Sequence, residues 1–196
     1  MEYVLDASGE RRLAAYFRRI GAVLNTAPQR ASFATYAMGL MGDGERKSAE
    51  PMAARACPDP ERVRAAHQRL TYFTRGADWS DRAVRREAAR YVASAMTARG
   101  PISAWIVDDT GFLKQGAHSV GVQRQYTGSA GKVANCQVGV SLTLATPSAH
   151  APVDFALYLP KSWTDAPERL AEARVPKDVK FKTKPELALD LIERAD

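Results

Sequence analysis

The fold is decided by the octapeptide Trp105-Ile106-Val107-Asp108-Asp109-Thr110-Gly111-Phe112. Its first three residues are apolar strand formers, which predicts a central β-strand covered on both faces. The strand leads into two adjacent carboxylates, Asp108 and Asp109, followed by a glycine. An ionised carboxylate beside a buried strand is costly unless it is paired or binds a metal, although Asp also caps turns routinely. The octapeptide therefore predicts either a catalytic or metal-binding pair or a turn.

The residues before this strand have helical periodicity, and the residues after it have strand periodicity. The clearest helix is predicted over 81–97, where Ser80 is a capping residue. Short connections between the strands indicate an antiparallel meander. The sequence therefore predicts an α+β protein with a helical, basic region over 1–99 and a sheet region over 100–196. Further helices are predicted over 10–24, from Thr26 to Gly42, over 46–56, from Pro60, over 165–173 and from Pro185.

Two later strands have a clear alternation of apolar and polar side chains, and a third strand over 120–126 has a weaker one. The alternation predicts that the apolar residues of each strand share one face of the sheet. In the strand over 137–145 these residues are Val138, Val140, Leu142 and Leu144. In the strand over 152–159 they are Val153, Phe155, Leu157 and Leu159.

The excess of positive charge lies entirely in the first half of the chain. Residues 1–105 contain 17 Lys and Arg against 11 Asp and Glu, whereas residues 106–196 contain 11 of each. Such an excess is typical of a protein that binds a polyanion, most simply DNA, although a solvated basic surface has the same composition. Candidate DNA-binding residues lie on one face of the helix over 81–97 and in the glycine-rich stretch over 111–132. They are Arg82, Arg85, Arg86, Arg90, Lys114, Arg124 and Lys132.

Other features of the sequence exclude several classes of protein. There is no run of about 18 apolar residues that would predict a membrane span, and residues 1–6 lack the pattern of a signal peptide, so a cytoplasmic protein is expected. Cys57 and Cys136 lack the spacing of metal ligands and are expected to be buried thiols. Neither a phosphate-binding glycine loop nor a Gly-x-Ser-x-Gly nucleophile motif occurs.

Several runs of the chain resemble the motifs of one transposase family. The longest is Asp108-Asp109-Thr110-Gly111-Phe112-Leu113-Lys114-Gln115-Gly116, followed by the run over 119–128. Shorter ones lie over 135–138, 157–163 and 183–188, and upstream over 39–40 and 45–50. Because these motifs occur in the right order, roughly residues 15–195 resemble a bacterial insertion-sequence transposase of the IS-seven-zero-one type, a branch of the DDE transposases.

The resemblance implies a helical DNA-binding region followed by an RNase H-like catalytic domain that cuts and joins DNA strands. Enzymes of this kind hold two Mg²⁺ ions with two Asp and one Glu, since Mg²⁺ prefers oxygen ligands. The first Asp follows the first strand, which implies Asp108 or Asp109 as the catalytic residue. The two side chains of an extended strand point to opposite faces, so only one reaches the site. The family pattern, Asp followed by Asp or Glu, favours Asp108 as the metal ligand and leaves Asp109 a structural role.

The remaining ligands of such a site are not matched by this chain. Asp154, Glu186, Asp190 and Glu193 are expected to be surface charges. The sequence therefore predicts the front half of a transposase, which binds the ends of an insertion sequence without transferring strands by itself. An incomplete sheet of this kind exposes an unpaired strand edge, so association with a second copy or with a full-length transposase is a further expectation.

Two other functions fit parts of the sequence. A non-catalytic DNA-binding regulator derived from a transposase needs only the basic residues. An aspartate-nucleophile phosphatase also has an apolar strand that ends in Asp, but its two Asp residues are separated by one residue so that both face the pocket. Because Asp108 and Asp109 are adjacent, the phosphatase interpretation is disfavoured.

Overall fold

The computed structural model describes residues 6–57 and 59–195. Within them helices precede an antiparallel sheet, which confirms the predicted order of a helical region and a sheet region. The absence of a signal-peptide pattern concerns residues 1–6, of which 1–5 lie outside this range, and the predicted end of the third helix concerns Cys57 and Pro58, of which Pro58 lies outside it. The helices are α1 (Ala7–Gly21), α2 (Ala27–Met41), α3 (Ala49–Ala56), α4 (Pro60–Arg75), α5 (Asp81–Thr97), α6 (Lys161–Thr164), α7 (Pro167–Glu172) and α8 (Lys184–Ala195). The strands are β1 (Ala104–Leu113), β2 (Gln123–Thr127), β3 (Lys132–Ala145) and β4 (His150–Tyr158).

The chain forms two compact units that divide within α5, between Tyr91 and Val92. In the first unit α2, α3 and α4 pack on one another. Their shared core consists of Met52, Ala53, Ala66 and Leu70, with Tyr36, Ala49 and Cys57 packed around it.

The helices of the first unit begin where their capping residues predict. Thr26 forms a reciprocal capping box with Gln29, and Asp59 accepts a hydrogen bond from the backbone of Glu61 at 3.1 Å. The hydroxyl of Ser80 accepts one from the backbone N–H of Ala83 at 3.1 Å. The predicted starts of α2, α4 and α5 are therefore confirmed.

Glu87 on α5 joins two helices of the first unit through an ion pair. Its carboxylate accepts a hydrogen bond from Arg19 of α1 and lies 3.8 Å from the guanidinium of Arg90. The hydrogen bond from Arg19 holds the pKa of Glu87 below its ordinary value. Arg19 also lies 5.5 Å from the centre of the Tyr91 ring.

The sheet of the second unit is built around β3. Over residues 136–145 β3 pairs with β1, and over 138–145 it pairs with β4 on its other side. Its first residues, 132–136, pair with β2. All of these pairs are antiparallel, as the short connections predict.

One face of the sheet is covered by α8. Val140 and Leu142 of β3 are buried against Leu191 of α8. We call the face that bears these residues the helix-covered face. The opposite face, which bears Ser141 and Thr143 of β3, is called the open face.

β1 is not the covered central strand that the octapeptide predicts. Among the described residues it pairs with β3 alone and is therefore an edge strand. Trp105, Ile106 and Val107 are 41%, 47% and 40% exposed. The prediction is wrong because α8 packs mainly on β3 and β4, so an apolar sequence on both faces of this edge strand does not produce burial.

The prediction that the alternating apolar residues of β4 share one face of the sheet is also wrong in part. Phe155 and Leu157 are 57% and 39% exposed on the open face. A bulge shifts the register between Leu142 and Thr143, so that Val153 and Ala156 both pack on the core beside α8. An extra residue in one strand reverses the alternation beyond it, and this alternation was the basis of the prediction.

Smaller differences lie around the sheet. The helix predicted over 165–173 corresponds to α7, which begins at Pro167, a residue favoured in the first turn of a helix. The short helix α6 precedes it and was not predicted. Both cysteines are free thiols; Cys136 is buried as predicted, whereas Cys57 is half-buried. Among the described residues no helix is both long and apolar enough to cross a membrane.

Candidate functional site

β1 directs its two carboxylates to opposite faces of the sheet. Asp109 is paired with Val140, which lies in the core beneath α8. Asp108 is paired with Ser141. Since residues directly opposite each other in an antiparallel pair share a face, Asp109 lies on the helix-covered face and Asp108 on the open face.

Asp109 is paired with a cation from the start of α8. Its Oδ2 accepts a hydrogen bond from Nζ of Lys184 at 2.8 Å. The same ammonium lies 5.8 Å from the centre of the Tyr158 ring. Lys184 is the first residue of α8, so this ion pair ties the helix to the edge strand.

Asp108 has different surroundings. Its Oδ1 accepts a hydrogen bond from the backbone N–H of Asp109 at 2.8 Å, and its backbone carbonyl accepts one from Oγ of Ser141 at 3.3 Å. The residue is exposed. Within residues 6–57 and 59–195 no cation forms an ion pair with its carboxylate. An exposed carboxylate without a counter-charge remains available to a ligand.

Gly111 is the point at which the β2–β3 hairpin meets β1. A Cβ at this buried position would overlap with the hydroxyl of Thr127. Oγ of Ser129 donates to the carbonyl of Gly111 at 2.8 Å and lies 2.9 Å from Oγ1 of Thr127. Neither hydroxyl residue is among the site residues predicted from the sequence. Their position beside Gly128 is the signal of a hydrogen-bonded turn that could have indicated them.

The glycine-rich stretch after β1 is anchored to the sheet by amide side chains. Nδ2 of Asn135 donates to the carbonyls of Lys114 and Gly116 at 2.9 and 3.0 Å. Nε2 of Gln137 donates to the carbonyl of Val120 at 2.6 Å. Its glycines therefore do not make this stretch an unattached loop.

The same stretch is held from its other side by α6 and α7. Nε1 of the buried Trp163 donates to the carbonyl of Val122 at 2.8 Å. The guanidinium of Arg169 lies 3.7 Å from the centre of the Trp163 ring and donates to the carbonyl of Ala117 at 2.7 Å. Trp163 lies in the motif over 157–163, whereas Arg169 lies in none of the motifs. Neither motif nor periodicity indicates the contact between Arg169 and Ala117, which are 52 residues apart.

The four arginines of α5 differ in their surroundings. Arg85 forms an ion pair with Asp81 one turn away at 2.9 Å, and Arg90 forms the looser one with Glu87 described above. Arg82 and Arg86 are exposed, and their spacing of four places them on one face of the helix. Neither Arg82 nor Arg86 forms an ion pair with another described residue.

The three candidate cations of the second unit lie near the β2–β3 hairpin. Arg124 and Lys132 are exposed, and Lys114 is half-buried. Arg124 is paired with Asn135 and lies on the open face. In the part of the chain that the structure describes, these three cations form no ion pair.

Other carboxylates of the second unit are bound to groups of the same unit. Asp154 forms an ion pair with Arg194 at 2.9 Å, and Asp190 forms one with Lys182 at 2.6 Å. Glu186 accepts hydrogen bonds from the hydroxyl and the backbone N–H of Thr183, both at 2.7 Å, and these bonds lower its pKa.

The resemblance to transposases implies two Mg²⁺ ions, and the described residues do not supply their ligands. Nowhere among them do three His, Cys, Asp or Glu side chains lie close enough to hold a metal ion. Asp108 provides the type of oxygen that Mg²⁺ prefers, but two ions need several carboxylates. The donor set around Asp108 is therefore not a two-magnesium site.

Comparison with known proteins identifies the family. Residues 19–196 match the family model described as DDE superfamily endonuclease. Neither the curated proteins nor the solved structures contain a match to the chain. The family model covers most of the chain, including both carboxylates of β1 and the basic helix α5. The chain therefore belongs to the DDE superfamily endonucleases.

Proposed function

We propose that the chain acts on DNA as a transposase-type DDE endonuclease in which Asp108 is the first catalytic carboxylate and Asp109 is structural. One observation carries the assignment of these roles. Lys184 is bound to Asp109, whereas Asp108 lies exposed on the open face without a cation among the described residues. A carboxylate that binds a metal or a reacting group needs free lone pairs, and Asp108 has them.

The proposal extends to the fold and to the kind of DNA. We assign the second unit to the opening part of an RNase H-like domain, and the order of the antiparallel strands β1, β3 and β4 followed by the helix α8 supports this assignment. The DNA that we propose as the ligand is the end of a bacterial insertion sequence. This choice is supported by the motifs that resemble an IS-seven-zero-one transposase.

We propose that DNA contacts the exposed arginines of α5. Arg82 and Arg86 lie on one face of the helix and have no ion pair among the described residues, so phosphates meet no competing carboxylate there. Arg85 and Arg90 are engaged by carboxylates of α5 and contribute less. Each phosphate contact adds about 0.9 to the slope of log affinity against log salt.

A salt titration of DNA affinity tests this contact. Changing both Arg82 and Arg86 to Ala is expected to reduce the salt slope by about 2. The matched control changes Arg85 and Arg90 to Ala, which removes the same charge and is expected to reduce the slope less. A failure to bind DNA at low salt would contradict the proposed function as a whole.

The role of Asp108 is tested without a metal. If the DNA backbone approaches the open face, Asp108→Asn removes a charge that repels it. The variant is then expected to bind DNA roughly two- to fivefold more tightly, the range for an exposed charge interaction worth up to about 1 kcal/mol. The exposed carboxylate of Asp178 in the same unit provides the control, Asp178→Asn, which is expected to have no effect. An equal effect of the two variants would remove Asp108 from the DNA-binding site.

A non-catalytic DNA-binding regulator is the second candidate. It is favoured by the finding that no metal-binding group of three side chains forms within the described residues. Incubation of the purified chain with DNA and Mg²⁺ separates the two candidates. DNA binding without cleavage agrees with the regulator, whereas cleavage that Asp108→Asn abolishes would exclude it.

A further inference from the structure

The open face of the sheet carries a group of exposed apolar side chains around Asp108. Its members are Ile106, Phe112, Tyr126, Val133, Phe155 and Leu157, which are 39–65% exposed. None of the described helices buries them. Large exposed apolar surfaces on folded proteins mark binding sites, and this one shares its face with the proposed catalytic carboxylate.

We propose that the open face binds an unpaired DNA strand whose bases stack on the rings of Phe112 and Tyr126. The phosphates of the same strand then pass Arg124 and approach Asp108. This inference rests on the proposed function, because it assumes that DNA reaches the face that bears Asp108.

The two rings are placed to receive bases. Phe112 is 53% exposed, and its ring lies against Gly139, where an added Cβ would be 3.3 Å from Cε2. Tyr126 is 65% exposed. In the described part of the chain neither ring packs on another aromatic ring, unlike the stacked pair of Phe73 and Trp79. Each ring therefore offers an unoccupied surface, and bases stack on such surfaces without regard to sequence.

The position of Phe112 favours an unpaired strand over a duplex. Phe112 lies four residues after Asp108 on the same face of β1, which is roughly 13 Å along the strand. DNA that reaches Asp108 from this end therefore passes over the ring. A duplex presents phosphates on its outside and keeps the faces of its bases stacked inside. An unpaired strand exposes base faces, which are the groups that aromatic side chains bind.

The charges beside the rings favour a polyanion over an apolar protein segment. Arg124 lies two residues before Tyr126 on the open face, and Lys114 follows the end of β1. Neither cation forms an ion pair with a residue that the structure describes. An apolar segment would cover the rings but leave both cations without a counter-charge, whereas phosphates would neutralise them.

The test compares three labelled DNAs by fluorescence anisotropy: a single strand, the duplex of the same sequence, and an abasic single strand that keeps the phosphates. Phe112→Leu, which stays apolar but loses the ring, is expected to weaken binding of the normal single strand by about 5- to 150-fold, the equivalent of ~1–3 kcal/mol for one lost stack. It is expected to leave the affinity for the abasic strand unchanged. Phe112→Trp is expected to restore the affinity.

The neighbouring residue provides the matched control. Leu113 is 59% exposed on the same strand but faces the other side of the sheet, so Leu113→Ala is expected to leave the affinity for all three DNAs unchanged. Circular dichroism of each variant checks that the sheet is intact.

Four results would overturn the inference. Equal binding of the abasic and the normal strand, or equal effects of Phe112→Leu and Leu113→Ala, would exclude stacking while leaving the proposed function in place. A dimer that Phe112→Leu dissociates without changing DNA affinity would assign the open face to a second copy. Absence of binding to every DNA at low salt would contradict both the inference and the proposed function.

Discussion

At the scale of single residues, the strand separates neighbours that look equivalent in the sequence. Asp108 and Asp109 are adjacent, yet the pairing with β3 places one on the open face and the other against Lys184. Gly111, two residues later, permits the close approach of Thr127. The surroundings of these residues therefore follow from which face of β1 each side chain occupies.

Gly111→Ala is expected to destabilise the second unit. The added Cβ would overlap with the hydroxyl and Cβ of Thr127, and overpacking of a buried position typically costs about 1–3 kcal/mol. The free energy of unfolding, measured by urea denaturation, checks the effect. Gly116→Ala is the control, since a Cβ there meets nothing within 4 Å. Equal stability of the two variants would contradict the close approach at Gly111.

The ion pair of Glu87 predicts a pH dependence of stability. Arg19 lowers the pKa of Glu87 below its ordinary value of 4.5, so its stabilisation is present above that pH and is lost as the pH falls through the lowered pKa. Glu87→Gln is therefore expected to lower stability at neutral pH and to flatten the decline of stability as the pH falls below about 4.5. Urea denaturation across this range provides the measurement.

A matched variant controls for the loss of any carboxylate. Glu45 is exposed and forms no ion pair with another described residue. Glu45→Gln is expected to keep the pH profile of the unchanged chain. If Glu87→Gln does the same, the ion pair with Arg19 does not contribute to folding.

At the scale of elements, β1 combines an apolar sequence with an edge position. Its pairing with β3 leaves the backbone groups of its other edge without a strand partner among the described residues. The first part of the strand, Trp105 to Val107, is apolar and does not discourage another strand from adding to the edge, whereas charged residues such as Asp108 and Asp109 farther along do. The edge therefore predicts self-association of the purified chain.

Val107→Lys is expected to reduce this association. Val107 lies near the middle of the edge strand β1 and is 40% exposed. A lysine on an edge strand opposes the addition of a further strand. Sedimentation velocity over a range of concentrations provides the measurement. The control is Val133→Lys, at an exposed position of β3 that is already paired with Tyr126 of β2. Equal effects of the two variants would indicate association through exposed apolar side chains rather than through the strand edge.

At the scale of the whole molecule, the helical unit and the sheet unit each contribute one part of the proposed function. The helical unit carries the excess of basic residues, including the exposed Arg82 and Arg86. The sheet unit carries Asp108 without a cluster of metal-binding side chains in its described residues. The described residues therefore combine the proposed DNA-binding arginines with a single proposed catalytic carboxylate.

The chain is expected not to be stabilised by Mg²⁺. A ligand raises the melting temperature only if it binds the folded state, and one exposed carboxylate does not hold the ion tightly. Thermal unfolding with and without millimolar MgCl₂ provides the measurement, with CaCl₂ as the control for unspecific cation binding. A rise in Tm with Mg²⁺ that Asp108→Asn abolishes would show that further ligands reach Asp108.

The sequence by itself determined the order of helices and strands, the helix starts at Thr26 and Asp59, the cap at Ser80, and the family. These features depend on local signals, namely capping residues, periodicity and contiguous motifs. It did not determine that β1 is an exposed edge strand, because burial depends on where α8 packs.

Only the tertiary structure decided the surroundings of the two carboxylates and the face that Phe155 and Leu157 occupy. The partner of Asp109 is Lys184, 75 residues away, and the orientation of β4 follows from a bulge opposite β3. Contacts between distant residues and the register between strands arise when elements pack together. For this reason the sequence of β1 does not reveal that Asp109 has a cationic partner, whereas Asp108 has none among the described residues.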